Sequence, residues 1–101
     1  MGLKERIPLS SSQIVKFCQK HHIKKLSFFG SILRNDFGKD SDIDILIEFE
    51  AEYIPGLEFF SMEEELSCLS GRKVDLQTPK FLSPEIFHHV LLESEVVYEQ
   101  T

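Results

Sequence analysis

Four apolar side chains, Ile43, Ile45, Ile47 and Phe49, occupy every second position of the run IDILIEF. Side chains alternate across a strand, so these four make one unbroken apolar face. Asp42, Asp44, Leu46 and Glu48 fall on the other face. An apolar strand face must be covered, which predicts a sheet with helices laid against it. The opposite face begins with two carboxylates two residues apart. Their repulsion costs folding energy unless a cation offsets it.

The rest of the chain alternates in the same way. Ser10, Ser11 and Ser12 offer N-caps for a helix over residues 13–22, with Ile14, Val15, Phe17 and Cys18 on its apolar side. KLSFF, residues 25–29, reads as a short strand ending at Gly30. Residues 31–36 read as the first turns of a helix, closed by the loop FGKDS. A further helix spans residues 57–69, where Phe59, Met62, Leu66 and Leu69 recur at three and four. KVDLQ, residues 73–77, predicts a strand with Val74 and Leu76 inward and Asp75 on the opposite face. Pro84 suits the first turn of a last helix, and EVVYE supplies a final strand. The order α-β-α-β-α-β-α-β predicts an α/β or α+β fold with helices on one face of a sheet.

At 101 residues the chain has room for one core, so residues 1–101 are expected to form a single domain. With 42% hydrophobic and 28% charged residues, five Gly and four Pro, it matches neither a disordered, collagen-like nor coiled-coil composition. No apolar run reaches the roughly 18–20 residues that span a bilayer, and MGLKERIPLS lacks a secretory signal. Gly2 is followed by Arg6 where a myristoylation motif has Ser or Thr. Cys18 and Cys68, both within helices, are expected to be buried, reduced thiols of a cytoplasmic protein. A net charge of −6 disfavours direct, sequence-blind nucleic-acid binding, which draws on a basic surface. It suits a basic protein partner, or a ligand whose negative charge travels with divalent metal.

If the strands holding Asp44 and Asp75 are neighbours, three carboxylates converge on the helix-free face. Hard oxygen ligands of this kind suit Mg²⁺, which binds through a few carboxylates together with substrate phosphates. Gly30-Ser31 lies between a strand and the expected helix, where glycine permits a tight turn and the exposed N–H groups of the helix start can cradle phosphate. Arg34 lies one turn on and can pair with phosphate or a carboxylate. A Gly-Ser pair alone carries little information. Asp-x-Asp alone serves equally as an edge-strand solubility feature or an Asx turn. The combination with a third strand-borne carboxylate is what narrows the chemistry.

GSILRNDFGKDSDID resembles the signature of the nucleotidyltransferase superfamily: Gly-Ser, ten residues, then Asp-x-Asp, with Asp75 in KVDL as the third carboxylate. Across nearly the whole chain the resemblance is strongest to the minimal nucleotidyltransferases of prokaryotes, which consist of the catalytic core. It implies a short mixed β-sheet with helices packed on one face. It also implies that Gly30 and Ser31 hold the triphosphate of ATP, with Arg34 in the place of an arginine many members carry. Asp42, Asp44 and Asp75 would be catalytic and hold two Mg²⁺ ions, with Asp75 acting as, or orienting, the base for the attacking hydroxyl. Asn35 departs from the glycine often found there, which bears on loop shape. The implied partner is a HEPN-domain RNase toxin, neutralised when the antitoxin adds AMP to one of its tyrosines. Neutralisation by complex formation alone and nucleotidyl transfer to a small molecule are the alternatives.

His21-His22 and His88-His89 are assigned to helix surfaces or a partner, since adjacent helical residues do not converge and no zinc spacing is present. MEEEL, residues 62–66, reads as a solvated helix face. Phe59, Phe60 and Phe87 are core candidates. Tyr53 is open between a cover for the nucleotide, a partner contact and a plain loop residue.

Overall fold

The computed structural model describes residues 7–34, 37–38 and 40–100. Among them the chain runs α1 (Ser11–Lys20), β1 (Ile23–Phe29), a 3-10 turn (Gly30–Leu33), β2 (Ile43–Phe49), α2 (Glu58–Ser70), β3 (Val74–Gln77), a second 3-10 turn (Pro79–Phe81), α3 (Pro84–Leu92) and β4 (Ser94–Glu99).

Ser10 starts α1 by a reciprocal cap: its hydroxyl accepts from the Gln13 N–H, and the Gln13 side chain accepts from the Ser10 N–H. Ile14, Phe17 and Cys18 bury one side of α1, while Val15 stays 38% exposed. The helix stops at Lys20, short of the expected residue 22, and His22 takes a left-handed backbone conformation (φ 58°) that turns the chain into β1. In α2 the buried positions are Phe59, Met62, Leu66 and Ser70. Ser70 takes the place expected for Leu69 because steps of 3, 4 and 4 follow the helical period more closely. Gly71, at φ 71°, ends α2 in the left-handed conformation that glycine adopts without steric cost. Cys18 is buried as expected, and burial pushes its thiol up to about 12. Cys68 is not buried; it lies on the exposed side of α2.

The four strands form one mixed sheet in the order β3-β2-β1-β4. β1 pairs antiparallel with β2 and with β4, whereas β2 and β3 run parallel. Ile43, Ile45 and Ile47 are fully buried, and they join Phe17, Phe59, Met62, Leu66, Val74 and Leu76 in one core. That core joins α1 and α2 to one sheet face. The other face is not wholly bare: Leu46 and Ser27, partners across β1 and β2, are each only 1% exposed. Edge strand β3 is shielded by α2, whose Ser67 hydroxyl and Glu63 carboxylate accept from the N–H groups of Val74 (3.1 Å) and Leu76 (2.9 Å). Of the MEEEL glutamates Glu64 is exposed as expected, whereas Glu63 here and Glu65 at His21 are half-buried and hydrogen-bonded to neighbouring elements.

The helix expected over residues 31–36 is a single 3-10 turn. Arg34 N–H closes it on the Ser31 carbonyl at 2.9 Å, and Arg34 itself is extended. Asn35 and Asp36 lie outside the described residues.

Candidate active site

Parallel pairing of β2 and β3 sets Asp44 directly opposite Asp75. On its other side Asp44 is the register partner of Phe29, the last residue of β1, so the chain leaves β1 at Gly30 beside this carboxylate. Gly30 has φ 76°, and a Cβ there would collide with the Asp44 carboxylate oxygen. The backbone conformation favours glycine, and any side chain there would displace the Asp44 carboxylate. Asp42 sits one residue ahead of β2, 46% exposed at its side chain, with the Lys73 ammonium 4.0 Å away. Asp75 is exposed, and one of its oxygens accepts from the Gln77 amide at 3.0 Å.

The electrostatics single out Asp44. Partial burial, then the charges of Asp75 and Asp42, hold its carboxyl above the usual carboxylate range, against the lowering effect of the Arg34 guanidinium. Gly30, Ser31, Arg34, Asp42, Asp44 and Asp75, forty-five residues apart in sequence at most, thus gather at one end of the β2–β3 pair. Among the described residues no three acidic, histidine or cysteine side chains are already drawn round a single point. Instead Lys73 and Gln77 engage the outer carboxylates, and the repulsion at Asp44 stands. A divalent cation fits this donor set: all-oxygen ligands, surplus negative charge, and glycine in place of a side chain next to the central carboxylate.

Arg72 was not foreseen from the sequence. Its guanidinium donates to the carbonyls of Gly38 and Ser41 (2.8 Å to the latter) and lies 4.4 Å over the Phe37 ring. Its own backbone is held by the Ser70 hydroxyl. Arg72 therefore pins the segment entering Asp42 to the turn between α2 and β3, which leads to Asp75. His21 is likewise not a surface histidine. It is 6% exposed, with Nδ1 2.7 Å from Glu58 and Nε2 3.0 Å from Glu65. His22, His88 and His89 are exposed, as expected. Tyr53 lies past the far end of β2 from Asp42 and Asp44, donating its hydroxyl to Glu58 and stacking on His22 at 4.4 Å.

Residues 12–101 match the family model described as polymerase beta, nucleotidyltransferase. The chain belongs to this nucleotidyltransferase family. Within the family it is similar to protein adenylyltransferase MntA of Thermococcus cleftensis, 40% identical over 81 residues, which are 79% of this chain and 78% of that relative. It is also similar to MJ0128 of Methanocaldococcus jannaschii, 48% identical over 58 residues, 57% of this chain, and there it spans 58% of the relative's length. In fold it resembles an experimental structure of a tri-AMPylated HEPN toxin of Shewanella oneidensis in complex with an MNT antitoxin, with TM-score 0.69 and 16% identity, covering 98% of this chain and 74% of that one. The mixed sheet and its helices are those of a nucleotidyltransferase core. No helix among the described residues is long and apolar enough to cross a membrane.

Proposed function

We propose that the chain is an antitoxin that transfers AMP from ATP to a hydroxyl, a tyrosine, of a HEPN-domain toxin, and that residues 1–101 act as one catalytic domain. The observation that carries the chemistry is Asp44 facing Asp75 across β2 and β3, with Asp42 beside them and Gly30 leaving Asp44 its room. The choice of AMP and of a HEPN-domain acceptor is supported by the protein adenylyltransferase MntA relative and by the AMPylated toxin bound to the related fold.

Asp42, Asp44 and Asp75 are the residues that would hold two Mg²⁺ ions. Divalent metal bound there would make the acceptor hydroxyl more acidic and would offset negative charge on the departing pyrophosphate. The chain's own groups do the rest. The Gly30-Ser31 turn offers backbone N–H groups and a hydroxyl to the triphosphate, and Arg34 adds a guanidinium for phosphate oxygens. Asp75, the most exposed of the β2–β3 carboxylate pair, takes the proton of the acceptor hydroxyl. The oxygen freed of it attacks the α-phosphorus, the bond to the β,γ-diphosphate breaks, and pyrophosphate leaves.

Incubation with labelled ATP, Mg²⁺ and the HEPN-domain partner is expected to label the partner. The Asp42→Asn, Asp44→Asn double variant should abolish the label. Neutralisation undiminished in that variant, with no label from wild type, would instead establish antitoxin action by complex formation. Parallel reactions with GTP, CTP and UTP test the adenine preference.

A further inference from the structure

The carboxylates occupy one end of β2; a cavity of about 610 Å³ occupies the other. Phe49, Tyr53, Phe59 and Phe81 line it beneath the loop of residues 50–57. Large apolar side chains crowd its surroundings: Ile54 is 76% exposed and Phe81 59%, and next in the chain to lining residues Leu57 is 84% and Phe60 64% exposed. Scattered apolar residues are normal on a surface, but four gathered about one aromatic cavity mark an interaction site. The walls are set in advance. Phe59 and Phe81 pack edge to face at 4.9 Å, and the loop is braced by Tyr53 on Glu58 and on the His22 ring. A preformed pocket lowers the ordering cost of binding.

The charge around the cavity says what fits it. Glu48, Glu50 and Glu52 line it with Lys80 as the cation among the lining residues. The nearby Lys25 and His22 approach Glu48 and Glu50 only at 3.9 and 3.7 Å, from partly exposed positions. A second copy of this chain docked patch to patch would bring the same carboxylates together. The complementary occupant is a protein surface with an aliphatic or aromatic anchor ringed by Lys or Arg, as an RNA-cleaving protein presents.

We propose that this cavity anchors the basic partner protein whose hydroxyl the carboxylate site modifies, an inference that rests on the adenylyl-transfer reading. Glu48 lies on the same strand face as Asp44, four residues on, or about 13 Å at strand rise. The partner is therefore held at one end of β2 while its acceptor reaches the other. Its anchor and its modified hydroxyl should lie roughly 13–17 Å apart, four to five residues of strand.

The test compares wild type with Ile54→Glu and Leu57→Glu, both at exposed loop positions, after circular dichroism and melting confirm their fold. Affinity for the HEPN-domain partner is measured by surface plasmon resonance and AMP transfer is measured across partner concentrations. The expected result is a Kd for the partner raised at least about 10-fold, the range of interface hot spots. KM for the partner should rise with it, while kcat at saturation and ATP affinity hold. Glu48→Gln with Glu52→Gln should weaken binding at low salt more than at high salt. Wild-type affinity in both loop variants would overturn the docking site while leaving AMP transfer intact. Changed self-association with unchanged partner affinity would also overturn it, in favour of a second copy. Failure of the wild-type chain to bind or label the partner would overturn the adenylyl-transfer reading itself, and this inference with it.

Discussion

Asp44 and Asp75 face each other across a parallel strand pair, and partial burial, then the charges of Asp75 and Asp42, push the Asp44 carboxyl above its ordinary range. This strain is carried by the fold whenever cations are absent. A carboxyl whose folded pKa exceeds its unfolded one binds its proton more tightly when folded. Stability then falls as pH rises from the unfolded value through the folded one. Asp44→Asn should therefore raise the melting temperature of the metal-free protein by a few degrees at pH 7. The gain should vanish in acid below the unfolded value. Thermal melts in EDTA across pH check both, while AMP transfer by the same variant should be lost.

Gly30→Ala separates fold from chemistry. The left-handed backbone conformation costs an L-residue about 1–2 kcal/mol. The new methyl group meets the far end of the Asp44 side chain, which can swing aside, so the greater damage falls on the carboxylate's position. Modest destabilisation by urea unfolding and at least about a tenfold loss of AMP transfer are expected, the scale set by misplacing a reacting group.

Arg72→Ala removes two carbonyl contacts and a cation–aromatic contact that hold Phe37, Gly38 and Ser41. The segment leading into Asp42 should loosen, read as faster amide exchange there. The apparent affinity for Mg²⁺-ATP should fall about 3- to 10-fold with a smaller change in kcat. Arg72→Lys should recover little, because a point ammonium cannot span two carbonyls and stack on Phe37 as a planar guanidinium does.

His21 clamps Glu58 and Glu65 together from the end of α1. The Tyr53 hydroxyl, followed by His21, holds Glu58 below its usual range. At Glu65 partial burial acts upward, and the hydrogen bonds from His21 and Lys20 outweigh it. Groups with lowered folded pKa give stability that is present above the unfolded value and lost as pH falls through the folded one. Acid unfolding of wild type should begin below about pH 4, near the ordinary glutamate pKa. His21→Ala should cost about 1–2 kcal/mol at pH 7, the lower range for hydrogen bonds to charged groups, because Glu58 and Glu65 are each close to a third exposed. It should also flatten the acid limb of the stability curve.

The sheet and its carboxylates were legible because their signals are local. Alternation from Ile43 to Phe49 places Asp44 on the outward face whatever lies around it, and the same holds for Asp75 between Val74 and Leu76. The extent of the turn after Gly30 is not encoded locally, since residues 31–34 suit a helix and carry no sign of where a 3-10 turn gives way to extended chain. Arg72 and His21 were invisible for a different reason. Arg72 reaches Ser41 across 31 residues, and His21 reaches Glu65 across 44. No pattern of spacing encodes such pairs before the sheet has brought their segments together. Cys68 shows the same limit in small: its exposure is set by which side of α2 packs on the sheet.

The most direct measurement is the intact mass of the HEPN-domain partner after incubation with this chain, ATP and Mg²⁺. The account predicts a gain of one or more adenylyl units, mapped to tyrosine by fragmentation and absent when Asp44→Asn replaces wild type. An unchanged partner mass under conditions where the wild-type chain still neutralises the toxin would contradict it.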